Sequence, residues 1–273
     1  MNWEAKKNKL QNRKIIVLFF YFWVCVKMSI LGYWNHRALA GSIRLMLNYV
    51  GEEYEDRRYQ VGSPPDFDKS CWLNEKYSLP FAAPNLPYYI NEKENVYLTQ
   101  THAILFYLGS KYELQGKTVI QTSNAIMALE VMKDWMDDFF HVTYCEWYEC
   151  PSELKSDDYQ AEKTSELFEK QSAIYLQDTL PKHLKMIEAI FNSNDGKWLV
   201  GDALTFSDFT LAEYIDQHLI FSKDCISAEC YPGIYSVYIN LKDLPDVKAY
   251  RNSSNYKPEP LHNRYSHFHT GWV

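Results

Sequence analysis

Every strand signal in this 273-residue chain lies before residue 100, and no convincing one follows Gln115. Ser29–Trp34 is a short apolar run that reads as a strand. Residues 40–49 have helical spacing, with Ile43, Leu47 and Val50 on one face. Residues 54–60 alternate in part and read as a second strand. Residues 87–90 and 96–98 flank the polar stretch 91–95, a hairpin signal. Thr99 then opens a helix through about Tyr112. The order is βαβ followed by ββα, which suits a small mixed sheet with helices packed on it.

Beyond that point, residues 124–148 and 162–191 read as two long helices. In Thr205-Phe206-Ser207-Asp208 a hydroxyl at the N-cap precedes an acid by three positions, a capping box in front of the apolar helix 209–221. Gly201-Asp202 supplies the turn before it. The expected architecture is a mixed α/β domain followed by an all-helical one.

Composition narrows the function classes. The net charge is −7, and Lys and Arg are scattered outside the first fourteen residues, so a nucleic-acid partner has little support. Aromatic residues make up 16% of the chain; they suit a small-molecule pocket, although on composition alone an aromatic core is the better account. The six cysteines include no C-x-x-C, which favours a reducing compartment and a cytoplasmic location. Cys145/Cys150 and Cys225/Cys230 repeat one spacing, wider than that of tight zinc knuckles, and no metal is expected there. His262, His267 and His269 read as a solvated tail. Gly116-Lys117-Thr118 ends like a P-loop, but Lys111 stands where its first glycine belongs.

The N-terminus is unusual. Lys6, Lys7, Lys9, Arg13 and Lys14 precede the apolar run 15–26, which is too short to span a bilayer as a helix. The pattern resembles a signal peptide but lacks small residues before a cleavage site. The favoured reading is that Met28 is the true start and that residues 1–28 form a dispensable extension. Asn252-Ser253-Ser254 fits the glycosylation sequon, which matters only for a secreted chain.

Seven motifs in order then carry a resemblance. Leu31-Gly32-Tyr33-Trp34 with Arg37, Leu39 and Ile43-Arg44-Leu45 is the first, and the stretch from Pro65 through Lys76 the second. Pro84-Asn85-Leu86-Pro87-Tyr88 and Thr99-Gln100-Thr101-His102-Ala103-Ile104 follow, then Trp198 to Asp202, Thr205 to Phe209 and Lys248 to Tyr256. Over about residues 30–273 the chain resembles the mu-class glutathione S-transferases. That resemblance implies a thioredoxin-like βαβ-ββα domain over 29–113 and a helical bundle domain over 114–273 that contributes the electrophile pocket.

The resemblance also implies site roles. Tyr33 is expected to donate its hydroxyl to the glutathione thiolate, and Trp34 and Leu39 to line the glutathione site. Leu86, before a cis Pro87, is expected to present its backbone N–H and C=O to the extended peptide. Gln100 and Thr101 open a helix suited to the γ-glutamyl carboxylate. Trp72 and Lys76, with Asn85 close by, meet the other carboxylate. Asp134 reaches the γ-glutamyl amine of the opposite subunit, and Tyr144 lies over the electrophile. Glutathione is a co-substrate, no cofactor is implied, the partners are hydrophobic electrophiles, and the chain is expected to form a homodimer. Departures are Thr101 for the usual Ser, Ala38 for a common Gly, Lys69 for a frequent Arg, and a hairpin longer by about two residues. Ala83 stands in place of the aromatic key to the partner subunit, with Phe81 as the candidate substitute. A carrier that binds apolar ligands without turnover is the alternative; retention of Tyr33, Asn85, Gln100 and Thr101 favours the transferase.

Overall fold

The computed structural model describes residues 28–63, 66–145 and 165–268. The proposed extension lies outside the described residues apart from Met28, as do Cys25, Cys150 and His269. Four strands, β1 (Ser29–Trp34), β2 (Tyr54–Tyr59), β3 (Tyr88–Asn91) and β4 (Val96–Thr99), form one sheet in the order β2-β1-β3-β4. β1 and β2 run parallel, joined through α1 (Gly41–Tyr49), whereas β3 is antiparallel to both β1 and β4. This is the mixed sheet that the periodicities predict. Position sets composition: central β3 is buried at every residue, while edge β2 carries Glu55, Arg57 and Arg58. The hairpin turn is a 3₁₀ turn in which Asn91 Oδ1 accepts from the Glu94 N–H, and Asn95 takes the left-handed conformation.

Gly32 has a steric cause. A Cβ there would stand 2.1 Å from the Tyr88 ring, which lies across β1 directly before Tyr33. A short helix, α2 (Ser70–Leu73), fills part of the connection to β3, and α3 (Thr101–Lys111) follows β4.

The rest is helical. Helix α4 (Val119–Thr143) starts five residues before the expected 124, because the Thr118 hydroxyl oxygen caps it by accepting from the Gln121 N–H. The expected helix 162–191 is described from Ser165 as α5 (Ser165–Ile174), a π-turn (Tyr175–Thr179) and α6 (Leu180–Asn192). Pro181, which has no N–H to donate, sits at the start of α6 where the regular ladder resumes. Helix α7 (Phe206–Phe221) is the axis of the bundle, buried without a break from Phe206 to His218. Both halves of its capping box form: the Thr205 side chain accepts from the Asp208 N–H, and the Thr205 N–H donates to Asp208 Oδ2 at 2.7 Å; the Leu199 N–H also donates to Asp208 Oδ1 at 2.8 Å. Helices α8 (Pro232–Lys242) and α9 (Pro245–Arg251) close the bundle. Among the described residues no helix is long and apolar enough to cross a membrane.

One expectation needs correction. The C-terminal stretch is not a solvated tail: Leu261, His262 and Ser266 are fully buried, and Phe268 nearly so. An imidazole has flat faces as well as polar edges. His262 stacks on Tyr144 at 5.6 Å and 12° and meets Phe139 and Phe140 edge-on. Ser266 Oγ and the His267 N–H both donate to the Thr143 carbonyl.

Candidate functional site

Tyr33 ends β1 and is 5% exposed, inside a cluster with Ala38, Ala40, Tyr59, Trp72, Leu86, Tyr88 and Ile90. Burial drives its pKa well above that of a free phenol; the Leu39 backbone amide and the Arg44 guanidinium oppose the shift without reversing it. The hydroxyl therefore keeps its proton at neutral pH. Arg44 Cζ stands 6.0 Å from the ring centre. It is fixed there because its Nε donates to both Asp56 carboxylate oxygens at 3.1 Å, and its Nη1 to the His36 carbonyl at 2.8 Å.

The turn after β1 brings other candidates to Tyr33. Leu39 lies in the 3₁₀ turn Ala38–Ala40, and its carbonyl accepts from Thr101 Oγ1 at 3.3 Å. Gln100, at φ 76°, N-caps α3, so the first backbone N–H groups of that helix open beside Leu39. Ala38 itself has a φ of 25°, a conformation that favours the glycine expected there. Trp34 is half-buried, edge-on to Tyr59 at 6.4 Å. Trp72 is buried and stacks on Tyr88 at 6.0 Å. The Leu86–Pro87 bond is cis, as expected.

Other candidates make contacts within the chain. The Leu86 N–H donates to Asn85 Oδ1 at 2.9 Å, so a short polar neighbour satisfies it. Lys76 Nζ lies over the Tyr77 ring at 5.3 Å. Phe81 is not projected as a key; its ring packs on Tyr88 at 5.1 Å. Asp134 is exposed on α4, apart from the group around Tyr33.

Tyr144, the C-cap of α4, stands on the helical side of the site. Burial raises its pKa well above normal, and Tyr265 and Tyr33 add to the effect, so it too stays a neutral phenol. Its hydroxyl oxygen accepts from the Asn263 N–H at 3.2 Å.

Sequence reasoning missed the residues that frame this arrangement. Arg37 binds Glu213 and Asp216 of α7, which lie far along the chain and leave no local signal. His36 meets Tyr33 edge-on at 5.2 Å; burial foremost, then His262 and Arg44, keeps it neutral. Among the described residues no group of His, Cys, Asp and Glu could hold a metal ion.

This arrangement has relatives. Residues 29–110 match the family model described as the glutathione S-transferase N-terminal domain, and residues 152–254 one described as its C-terminal domain. The chain is 31% identical to glutathione S-transferase Mu 1 of Mus musculus over 239 residues, 88% of this chain and 97% of that protein. It is 34% identical to Mu 1 of Rattus norvegicus over 236 residues, 86% and 95% of the two. Among solved structures, the glutathione S-transferase Blo t 8 aligns with a TM-score of 0.70 at 26% identity, over 87% of this chain and 98% of that one. The Pi-class enzyme of Onchocerca volvulus shares the fold, with a TM-score of 0.66 at 22% identity over 85% and 97%. On sequence and fold alike, the chain belongs to the glutathione S-transferase family, in its mu class.

Proposed function

We propose that this glutathione transferase joins the glutathione thiolate to hydrophobic electrophiles, with Tyr33 as the thiolate's hydrogen-bond donor. The observation that carries this reading is the placement of Tyr33: it is buried at the end of β1, with Arg44 Cζ 6.0 Å from its ring centre. A free thiol has a pKa near 8.5, and lowering it by about two units requires about 2.7 kcal/mol of selective thiolate stabilisation. One oriented neutral donor in a dry site, helped by the α3 N-terminus, supplies interactions of that size. The thiol proton leaves to solvent while Tyr33 keeps its own. The sulfur then forms a bond to the electrophilic carbon, and the displaced group departs with its electron pair.

In this reading the γ-glutamyl carboxylate takes the N-terminus of α3 at Gln100 and Thr101. The peptide runs along Leu86 beside the cis Pro87, displacing Asn85 Oδ1 from the Leu86 amide. Trp34 and Leu39 line the thiol end. Trp72, Lys76 and Asn85 meet the glycyl carboxylate once the Lys76 stem swings off Tyr77. Tyr144 covers the electrophile. No cofactor is needed.

We also propose a homodimer in which Asp134 of a second copy approaches the γ-glutamyl amine. Support comes from an exposed apolar stripe on α4, with Val119, Ile120, Ile126 and Met127, next to exposed Phe106 of α3. The experiment is a panel of aryl halides, epoxides and alkyl halides assayed with glutathione. Turnover above the uncatalysed rate is expected, and its absence across the panel rejects the reading.

A further inference from the structure

The stretch after α9 crosses from one half of the molecule to the other. The Arg37 and Ala38 N–H groups donate to the Pro260 and Leu261 carbonyls at 3.0 Å, and the His267 N–H donates to Thr143 at the far end. Between them, Arg264 Nη1 donates to Ser63 Oγ at 3.0 Å, in the connection between β2 and α2. These bonds anchor the stretch without using the side chain of Tyr265.

The Tyr265 ring lies against Tyr144 at 5.4 Å and 53°. Phe67 meets it edge-on at 5.9 Å, and Lys69 Nζ stands 5.4 Å from its centre. Asn263 Nδ2 donates to its hydroxyl oxygen at 3.1 Å, which orients the phenol. Tyr265 also helps to raise the pKa values of Tyr33 and Tyr144. With His262 stacked behind Tyr144, the Tyr144–Tyr265 pair is flanked by ring faces and ring edges.

We propose that Tyr265 is a specificity-determining residue of the electrophile subsite, its ring forming with Tyr144 an angled pair of walls that selects planar aromatic electrophiles. This rests on the transferase reading above. Aromatic rings attract one another at centroid separations of about 4.5–7 Å beyond what their buried area alone provides. A flat aryl electrophile placed beside the thiolate finds two such faces; a short alkyl electrophile finds none that it can use as well.

The test compares wild type with Tyr265→Leu and Tyr265→Phe, using a dinitrophenyl halide and a small alkyl iodide as electrophiles and glutathione as the common co-substrate. Tyr265→Leu should raise KM for the aryl halide about three- to tenfold, while KM for glutathione and for the alkyl iodide stays within about twofold. Tyr265→Phe should keep the aryl KM within about twofold, because the ring remains. An unchanged aryl KM in the leucine variant overturns the assignment, as does an equal rise for both electrophiles. A phenylalanine variant that loses the aryl preference overturns it too, and carries the test if the leucine variant does not fold. A wild-type chain that turns over no electrophile fails the transferase reading itself; an active wild type whose leucine variant keeps its aryl preference fails this assignment alone.

Discussion

Arg37 holds Glu213 as a fork, Nε to Oε1 and Nη2 to Oε2, both at 2.9 Å, with both side chains almost wholly buried. The same Nη2 reaches Asp216 Oδ2 at 2.7 Å. Arg37 follows Tyr33 by four residues, and both acids sit on α7, so this fork sets where the turn after β1 docks on the helical half. Removing one partner of a buried pair costs about 3–5 kcal/mol because the other charge is stranded. Arg37→Ala should lose stability of that order in denaturant titrations. Arg37→Lys should fall between the two, since it keeps the charge but not the fork. An alanine variant as stable as wild type would show that the pair does no docking.

Tyr33→Phe should lower turnover by about ten- to a thousandfold, the range for removing one oriented donor. Glutathione should still bind, since the backbone of Leu86 and the α3 N-terminus are untouched. The thiolate absorbance of bound glutathione, followed against pH, is the direct measurement: the midpoint should move up. A midpoint that stays put removes Tyr33 from its role.

Acid should destabilise the fold well above the carboxylate range. Burial, foremost, pushes His218 down to about 3 and His262 to about 3, and it keeps His36 well below its ordinary value. Unfolded imidazoles titrate near 6.5. Below that pH the unfolded chain takes up protons that the native chain refuses, so stability falls as pH drops through 6.5 and on toward 3. His218 and His262 should each account for about 2 kcal/mol lost between pH 8 and pH 5. Unfolding free energies from urea titrations across that range give the slope. A flat profile would mean that these imidazoles are protonated in the native state.

Asp134→Ala should weaken glutathione binding several-fold without unfolding the chain, as expected for a partly exposed ion pair worth about 0.5–1 kcal/mol. Light scattering at assay concentration should give twice the chain mass. A fully active monomer would reject the cross-subunit contact; an unchanged glutathione affinity in a dimeric variant would reject Asp134 alone.

What could be read in advance was what local chemistry dictates. The strands, the hairpin around Asn91 and the capping box at Thr205 each rest on neighbours within a few residues, and each formed. What could not be read depends on distance along the chain. The bonds from Arg37 to Glu213 and Asp216 span 176 and 179 residues, and no spacing rule announces them. The stretch through His262 misled for another reason: histidine counts as polar, yet the flat neutral imidazole of His262 packs among aromatic rings.

The contact between the turn after β1 and residues 258–261 also orders events during synthesis. Arg37 donates to the Pro258 carbonyl across 221 positions, and the next residues pair with the Arg37 and Ala38 amides. A ribosome that has released the whole sheet has not yet made the strand of backbone against which that turn rests. The nascent chain can therefore fold its sheet early and still lack a finished turn after β1 until residues 258–261 have left the ribosome.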